Sequence, residues 1–123
     1  MICQYPFEVF VDVRIFYPRL NREEVIQGLA RKLPGLQKEL PLLLVVLFGS
    51  YAKGNYTVAS DIDLLVVYGG KERKDAYAIT KRAFDLPNVE VHLYTEKEYE
   101  RMKGTIRMMM KGGVVLSEAK ELR

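Results

Sequence analysis

Leu47-Phe48-Gly49-Ser50-Tyr51-Ala52-Lys53-Gly54, followed after a short spacer by Ser60-Asp61-Ile62-Asp63-Leu64, is the stretch on which the reading of the fold turns. A Gly-Ser pair closes a strongly apolar run that begins at Leu42, and ten residues separate Ser50 from Asp61. Side chains alternate faces along a strand, so Asp61 and Asp63 project to one side while Ile62 and Leu64 point to the other. Carboxylates about 6–7 Å apart along a strand can straddle divalent cations, and two-metal phosphoryl-transfer sites hold ions roughly 3.5–4 Å apart. Gly49 and Ser50 supply the complementary half. Glycine lets the backbone approach a phosphate closely, and a turn into a helix N-terminus aims N–H groups at it. The stretch reads as a grip for a nucleoside triphosphate beside a metal-holding strand.

Other phosphate motifs fail on inspection. Gly49 and Gly54 have the separation of a P-loop, but Asn55-Tyr56 stands where Lys-Ser/Thr is required, and no GxGxxG run exists. Ser50 has no His/Asp relay that would make it a nucleophile, so its hydroxyl and N–H are read as phosphate ligands. Lys53 is either a contact to the triphosphate or a solvated surface lysine. Ser60 shapes the turn into the aspartate strand, close enough to the grip to count among the nucleotide-binding candidates.

The chain resembles the minimal nucleotidyltransferases of the polymerase beta-like superfamily. Their pattern is an apolar residue, Gly, then Gly or Ser, a spacer of about ten residues, Asp-apolar-Asp/Glu-apolar, and later a third carboxylate between apolar residues. Phe48-Gly49-Ser50, Asp61-Ile62-Asp63-Leu64 and Val89-Glu90-Val91 match it. The resemblance covers about residues 21–118. It implies an α/β (α+β) fold with a mixed twisted sheet flanked by helices. It also implies an Mg2+-dependent enzyme, with two ions, that transfers a nucleoside monophosphate, AMP from ATP foremost, to a hydroxyl. By the resemblance Asp61, Asp63 and Glu90 are the catalytic and metal-binding acids, with Glu90 on the catalytic ion and a candidate to accept the acceptor's proton. Asp is common at this third position, and Glu reaches one methylene further. Small relatives often pair with a helical HEPN protein and act as antitoxins, adenylylating a tyrosine of that ribonuclease or binding it. Two rivals stay open: a non-catalytic subunit that masks a partner sterically, and transfer to a small molecule or an RNA end.

At 123 residues the chain is read as one domain, 1–123, with the family core preceded by an N-terminal extension, residues 1–20. That size leaves no room for a separate acceptor-recognition domain, so recognition is expected from a partner or a self-associated surface. Apolar residues make up 49% and charged residues 28%, with a mild net charge of +3 that suits a polyanionic substrate without implying nucleic-acid binding. One cysteine, Cys3, excludes an internal disulfide, and one histidine, His92, excludes a Cys/His zinc site. No run of about eighteen apolar residues suggests a membrane span, and Glu8, Asp12 and Arg14 interrupt any signal-peptide layout. The cytoplasm is the expected location.

The remaining elements follow from periodicity. Residues 7–16 alternate Val9, Val11, Val13 and Ile15 against Phe10, Asp12, Arg14 and Phe16, a strand pattern. Asn21 with Glu24 is a capping box for a helix through Leu33, ended by Pro34-Gly35 and followed by a short helical piece. Leu42–Phe48, Asp61–Tyr68 and Val89–Tyr94 read as core strands, and Val114-Val115-Leu116 as a return to the core. Arg73–Phe84 reads as a helix with Ala76, Ile79, Ala83 and Phe84 inward. Thr95 with Glu98 opens a further helix that bends or breaks at Gly104, and Gly112-Gly113 make the turn after it. Met102, Met108, Met109 and Met110 are expected to pack in the core. Glu90 and His92 should share a strand face, where a lone histidine is more often a hydrogen-bonded neighbour than a ligand.

Overall fold

The computed structural model describes residues 21–57, 60–86 and 88–119. The alternating segment 7–16 lies outside them. The first element, α1 (Arg22–Glu39), is capped as its sequence dictates: Asn21 Oδ1 accepts the Glu24 N–H at 2.8 Å, and Glu24 Oε1 accepts the Asn21 N–H at 3.0 Å. It does not end at Pro34. The helix runs through Pro34-Gly35 as one 18-residue element. A proline inside a helix costs about 3 kcal/mol. The next turn returns Leu36 and Leu40 to the core, both fully buried, and two such side chains contribute about 1.5–3 kcal/mol each. Packing therefore outweighs the missing hydrogen bond.

Four strands form one mixed sheet in the order β3-β2-β1-β4. They are β1 (Leu42–Phe48), β2 (Ile62–Tyr68), β3 (Val89–Thr95) and β4 (Val114–Glu118). β1 runs antiparallel to both β2 and β4, and β2 runs parallel to β3. The mixed sheet flanked by helices is thus the α/β architecture that the sequence leads one to expect. β1, apolar at every position, lies inside the sheet with its two faces in different cores. Leu42, Val45 and Leu47 join Val25, Leu29, Leu36, Ile79 and Phe84 on the face covered by α1 and by α3 (Ala76–Ala83). Leu44 and Val46 join Leu65, Val67, Tyr99 and Ile106 under α4 (Glu96–Arg101) and α5 (Lys103–Met110).

Two boundaries and one burial pattern differ from the periodicity. α3 begins at Ala76 rather than Arg73 because Arg73 serves as a clasp. Its N–H donates to the Tyr68 hydroxyl, one guanidinium nitrogen to the Glu39 carbonyl at 2.7 Å, and two others to Asp75. The Asp75 carboxyl is held below its usual range first by that hydrogen bonding. The break between α4 and α5 falls at Met102, ahead of Gly104. Of the methionines, Met109 and Met110 pack against the smaller core, but Met102 and Met108 are exposed, Met108 at 78%. Helical phase decides this for Met108: Ile106 takes the buried position of α5, and Met108, two residues on, turns outward. Met102 sits at the break before α5. No helix among the described residues is long and apolar enough to cross a membrane.

Candidate active site

The end of β1, the start of β2 and the start of β3 meet at one mouth of the sheet. Asp63 is the register partner of both Phe48 and Glu90, so β2 carries its acid between the other two strands. The ladder continues to the rim. Asn88, in the left-handed region at φ 59°, turns the chain into β3, and its carbonyl accepts the Ile62 N–H at 2.7 Å. Lys81 of α3 donates to the Val89 carbonyl at 2.5 Å and anchors the residue before Glu90.

Gly49 leaves β1 with φ 79° and ψ −154°, a region essentially reserved for glycine. A Cβ there would lie 2.3 Å from Asp63 Oδ2. The carboxylate therefore rests directly over the Gly49 backbone, and no other residue fits. The chain then enters α2 (Ser50–Lys53), which Gly54 ends in the left-handed conformation with its N–H on the Ser50 carbonyl. This turn is braced from behind. Tyr51 stacks on Tyr56 at 4.3 Å, the Tyr56 hydroxyl accepts the Arg22 N–H, and Arg22 Nε donates to the Ala52 carbonyl. Burial, with Tyr56 beside it, raises the Tyr51 phenol above its ordinary value.

Asp61 and Glu90 are exposed, and Asp63 is half-buried. Burial raises the Asp63 pKa above the ordinary aspartate value; the negative charges of Asp61 and Glu90 add to the rise, and His92 opposes it. Asp61 and Glu90 thus both act against the charge of Asp63 at the mouth, and a cation there would relieve that repulsion. Among the described residues no three His, Cys, Asp or Glu side chains converge into a ready-made metal cage. The array is open and all-oxygen. That fits magnesium, which takes one or two carboxylates, retained water and substrate phosphates rather than a closed protein cage.

The other candidates separate. Gly49 stands against Asp63, and Ser50 follows it as the first residue of α2. Ser60 is engaged in its own loop, its N–H donating to the Thr57 carbonyl at 3.1 Å and its Oγ accepting the Thr57 N–H at 2.8 Å. Lys53 is exposed, and its stem runs along Gly112 in the turn before β4. Among the described residues no ion pair joins it to the acids. One side chain that the motif does not include, His92, lines the site against the motif's own Phe48. His92 Nε2 lies 3.8 Å from Asp63 Oδ1, and its ring meets the Phe48 ring edge-on at 5.1 Å. The shared strand face of Glu90 and His92 is the one sequence signal that pointed there.

The comparisons with known proteins bear on the fold and the family. A protein assigned as a nucleotidyltransferase from Sulfolobus solfataricus is similar in structure, with 26% identity and a TM-score of 0.54, over 76% of this chain and 80% of that one. A mutant of the MntA-HpeT toxin–antitoxin and a toxin–antitoxin with AMP-PNP are similar in fold, at 21% and 23% identity. Both give a TM-score of 0.50 and cover 75% of each chain. No curated protein matches the chain in sequence. Residues 22–116 match the nucleotidyltransferase domain family. Since that match runs from the first residue of α1 into β4 and takes in every strand of the sheet, the chain belongs to the nucleotidyltransferase domain family and is an enzyme of that class.

Proposed function

We propose that this enzyme is a minimal nucleotidyltransferase that moves AMP from ATP, with magnesium, onto a tyrosine hydroxyl of a HEPN partner, and so acts as an antitoxin in the cytoplasm. The observation that carries the reading is the seat of Asp63 over Gly49 with Glu90 beside it. It puts a phosphate-approachable backbone and the acids within one site. The toxin–antitoxin relative with AMP-PNP supports an adenine nucleotide, and the resemblance of the motif supports the HEPN partner.

In the reaction the acceptor oxygen bonds to the α-phosphorus while the bond from that phosphorus to the bridging oxygen of pyrophosphate breaks. Glu90, exposed at the rim, takes the hydroxyl proton. Gly49 and Ser50 offer N–H groups and a hydroxyl to the phosphates, and Asp61 and Asp63, with Glu90, would hold magnesium. When bound, magnesium neutralises triphosphate charge and polarises the reacting phosphate. The partner supplies the acceptor at high effective concentration.

The test is to incubate the enzyme and its partner with magnesium and each triphosphate, then weigh both proteins intact. A gain of one or more nucleoside monophosphates on the partner, absent with Asp61→Asn/Asp63→Asn, is the expected result. Tight binding and neutralisation without a mass gain, equal in that variant, identifies a steric subunit instead.

A further inference from the structure

Phe48 and His92 belong to β1 and β3, which are not neighbours: β2 lies between them. Two strand spacings put their backbones about 9–10 Å apart. Their ring centroids are nonetheless only 5.1 Å apart at an interplanar angle of 62°. The two rings therefore lean toward each other across β2. Phe48 is opposite Asp63 and His92 is opposite Leu65, so the pair crosses between those two residues. Leu65 is fully buried, and Asp63 stands on the open side.

Asp63 is consequently bracketed. One carboxylate oxygen rests over Gly49, and the other faces the imidazole Nε2 at 3.8 Å. That distance is a charge contact, longer than a hydrogen bond, so it biases the carboxylate's orientation without fixing it. A purely structural cover for Leu65 would be satisfied by any apolar side chain against Phe48. The imidazole instead turns a polar edge to the acid.

We propose that His92 is a positioning residue for Asp63: held edge-on by Phe48, it orients the carboxylate toward the mouth where a cation and the triphosphate would lie. Oriented ligands bind metal more tightly because less freedom is lost on binding, and substitution of such supporting partners typically costs about 10–100-fold in affinity. The inference rests on the reading of Asp63 as a metal ligand, and its test separates the two.

The probe is Mn2+, followed by the paramagnetic signal of the free ion in the presence of a non-hydrolysable ATP analogue. The full chain is compared with His92→Ala, His92→Leu, His92→Gln and Asp63→Asn. Asp63→Asn should weaken binding most. His92→Ala and His92→Leu should each weaken it by about tenfold, with the Leu variant melting near the parent, and His92→Gln should regain most of the loss. If His92→Leu binds like the parent while Asp63→Asn does not, His92 only packs, and the positioning role is overturned with the carboxylate reading intact. Equal loss in all three His92 variants also overturns it, since polarity then restores nothing. If Asp63→Asn itself binds like the parent, the carboxylate reading falls and the positioning role falls with it.

Discussion

Asp63 and Glu90 are register partners on parallel strands, so the two acids stand side by side, one strand spacing apart, at the same level of the sheet. Asp61, two residues before Asp63 along the chain, completes a corner rather than a row. In the proposed reaction a base at the Glu90 corner would approach the acceptor from the edge of the sheet, where a second protein would have access.

Glu90→Gln should therefore lower the rate by orders of magnitude while weakening nucleotide binding less, because it removes proton acceptance and a ligand charge but little volume. Single-turnover rates and nucleotide titrations of the variant check this. Activity within about twofold of the parent would sink the three-acid site.

Gly49→Ala and Gly54→Ala make a matched pair. Both glycines have positive φ, but a Cβ at Gly54 meets nothing within 4 Å, whereas at Gly49 it meets Asp63. Gly54→Ala should cost about 1 kcal/mol for the left-handed backbone alone. Gly49→Ala should cost more in denaturant unfolding and should abolish nucleotide binding. Equal costs, with binding retained, would mean that Asp63 does not need its seat.

The raised Asp63 pKa has a defined consequence for stability without metal. The folded state holds a proton on this carboxyl that the unfolded chain has already lost, so the folded state gains less as pH rises through that window. Metal-free protein should lose stability between the ordinary aspartate range and the higher folded value. Asp63→Asn has no such proton, and its melting temperature relative to the parent should climb as pH rises from the ordinary aspartate range through the raised folded value. A constant difference across that range refutes the burial and repulsion described for Asp63.

Pro34→Ala should stabilise the protein, because it restores an N–H inside α1 at an exposed position without altering Leu36 or Leu40. A gain of about 1–3 kcal/mol in chemical denaturation is expected. A loss would show that the proline bend itself aims those leucines.

Glycines of the last helix and turn divide in the same way. A Cβ at Gly113 would lie 2.8 Å from the Leu47 carbonyl and 2.9 Å from both the Met110 carbonyl and Val46 Cγ1. Gly113→Ala should destabilise by about 1–3 kcal/mol. Gly104, helical and exposed with nothing within 4 Å, should gain about 0.5–1 kcal/mol as alanine. Melting curves of the two variants decide whether the turn before β4 is as tightly packed as described.

How much of this was legible in the sequence depended on whether the cause was local. The strands were readable because uninterrupted apolar runs have few alternatives, and both capping boxes were readable because four residues determine them. Pro34 misled because the decisive term, burial of Leu36 and Leu40, arises only against the assembled sheet. Arg73 misled because its partners Glu39 and Tyr68 are distant or on another element. In the site, the spacing picked out the acids and the glycine turn. It could not show that Ser60 is engaged with Thr57, that Lys53 lies along Gly112, or that the Phe48 and His92 rings cross β2. The last requires the strand order, which no single strand contains.

The two cores on either side of the sheet are unequal. The acids share the side backed by the smaller one, to which the covering helices give two buried side chains, Tyr99 and Ile106, with Met109 and Met110 partly buried against it. Less buried area means a smaller free energy for local opening. Backbone amides in α4 and α5 should therefore exchange with solvent through partial openings, while those of β1 and β2 wait for global unfolding. The acids themselves are rooted in strands shared by both cores. The enzyme thus couples a stiff footing for its charges to a yielding roof, which would let the active side adjust its shape to the proposed protein acceptor while the carboxylates keep their places.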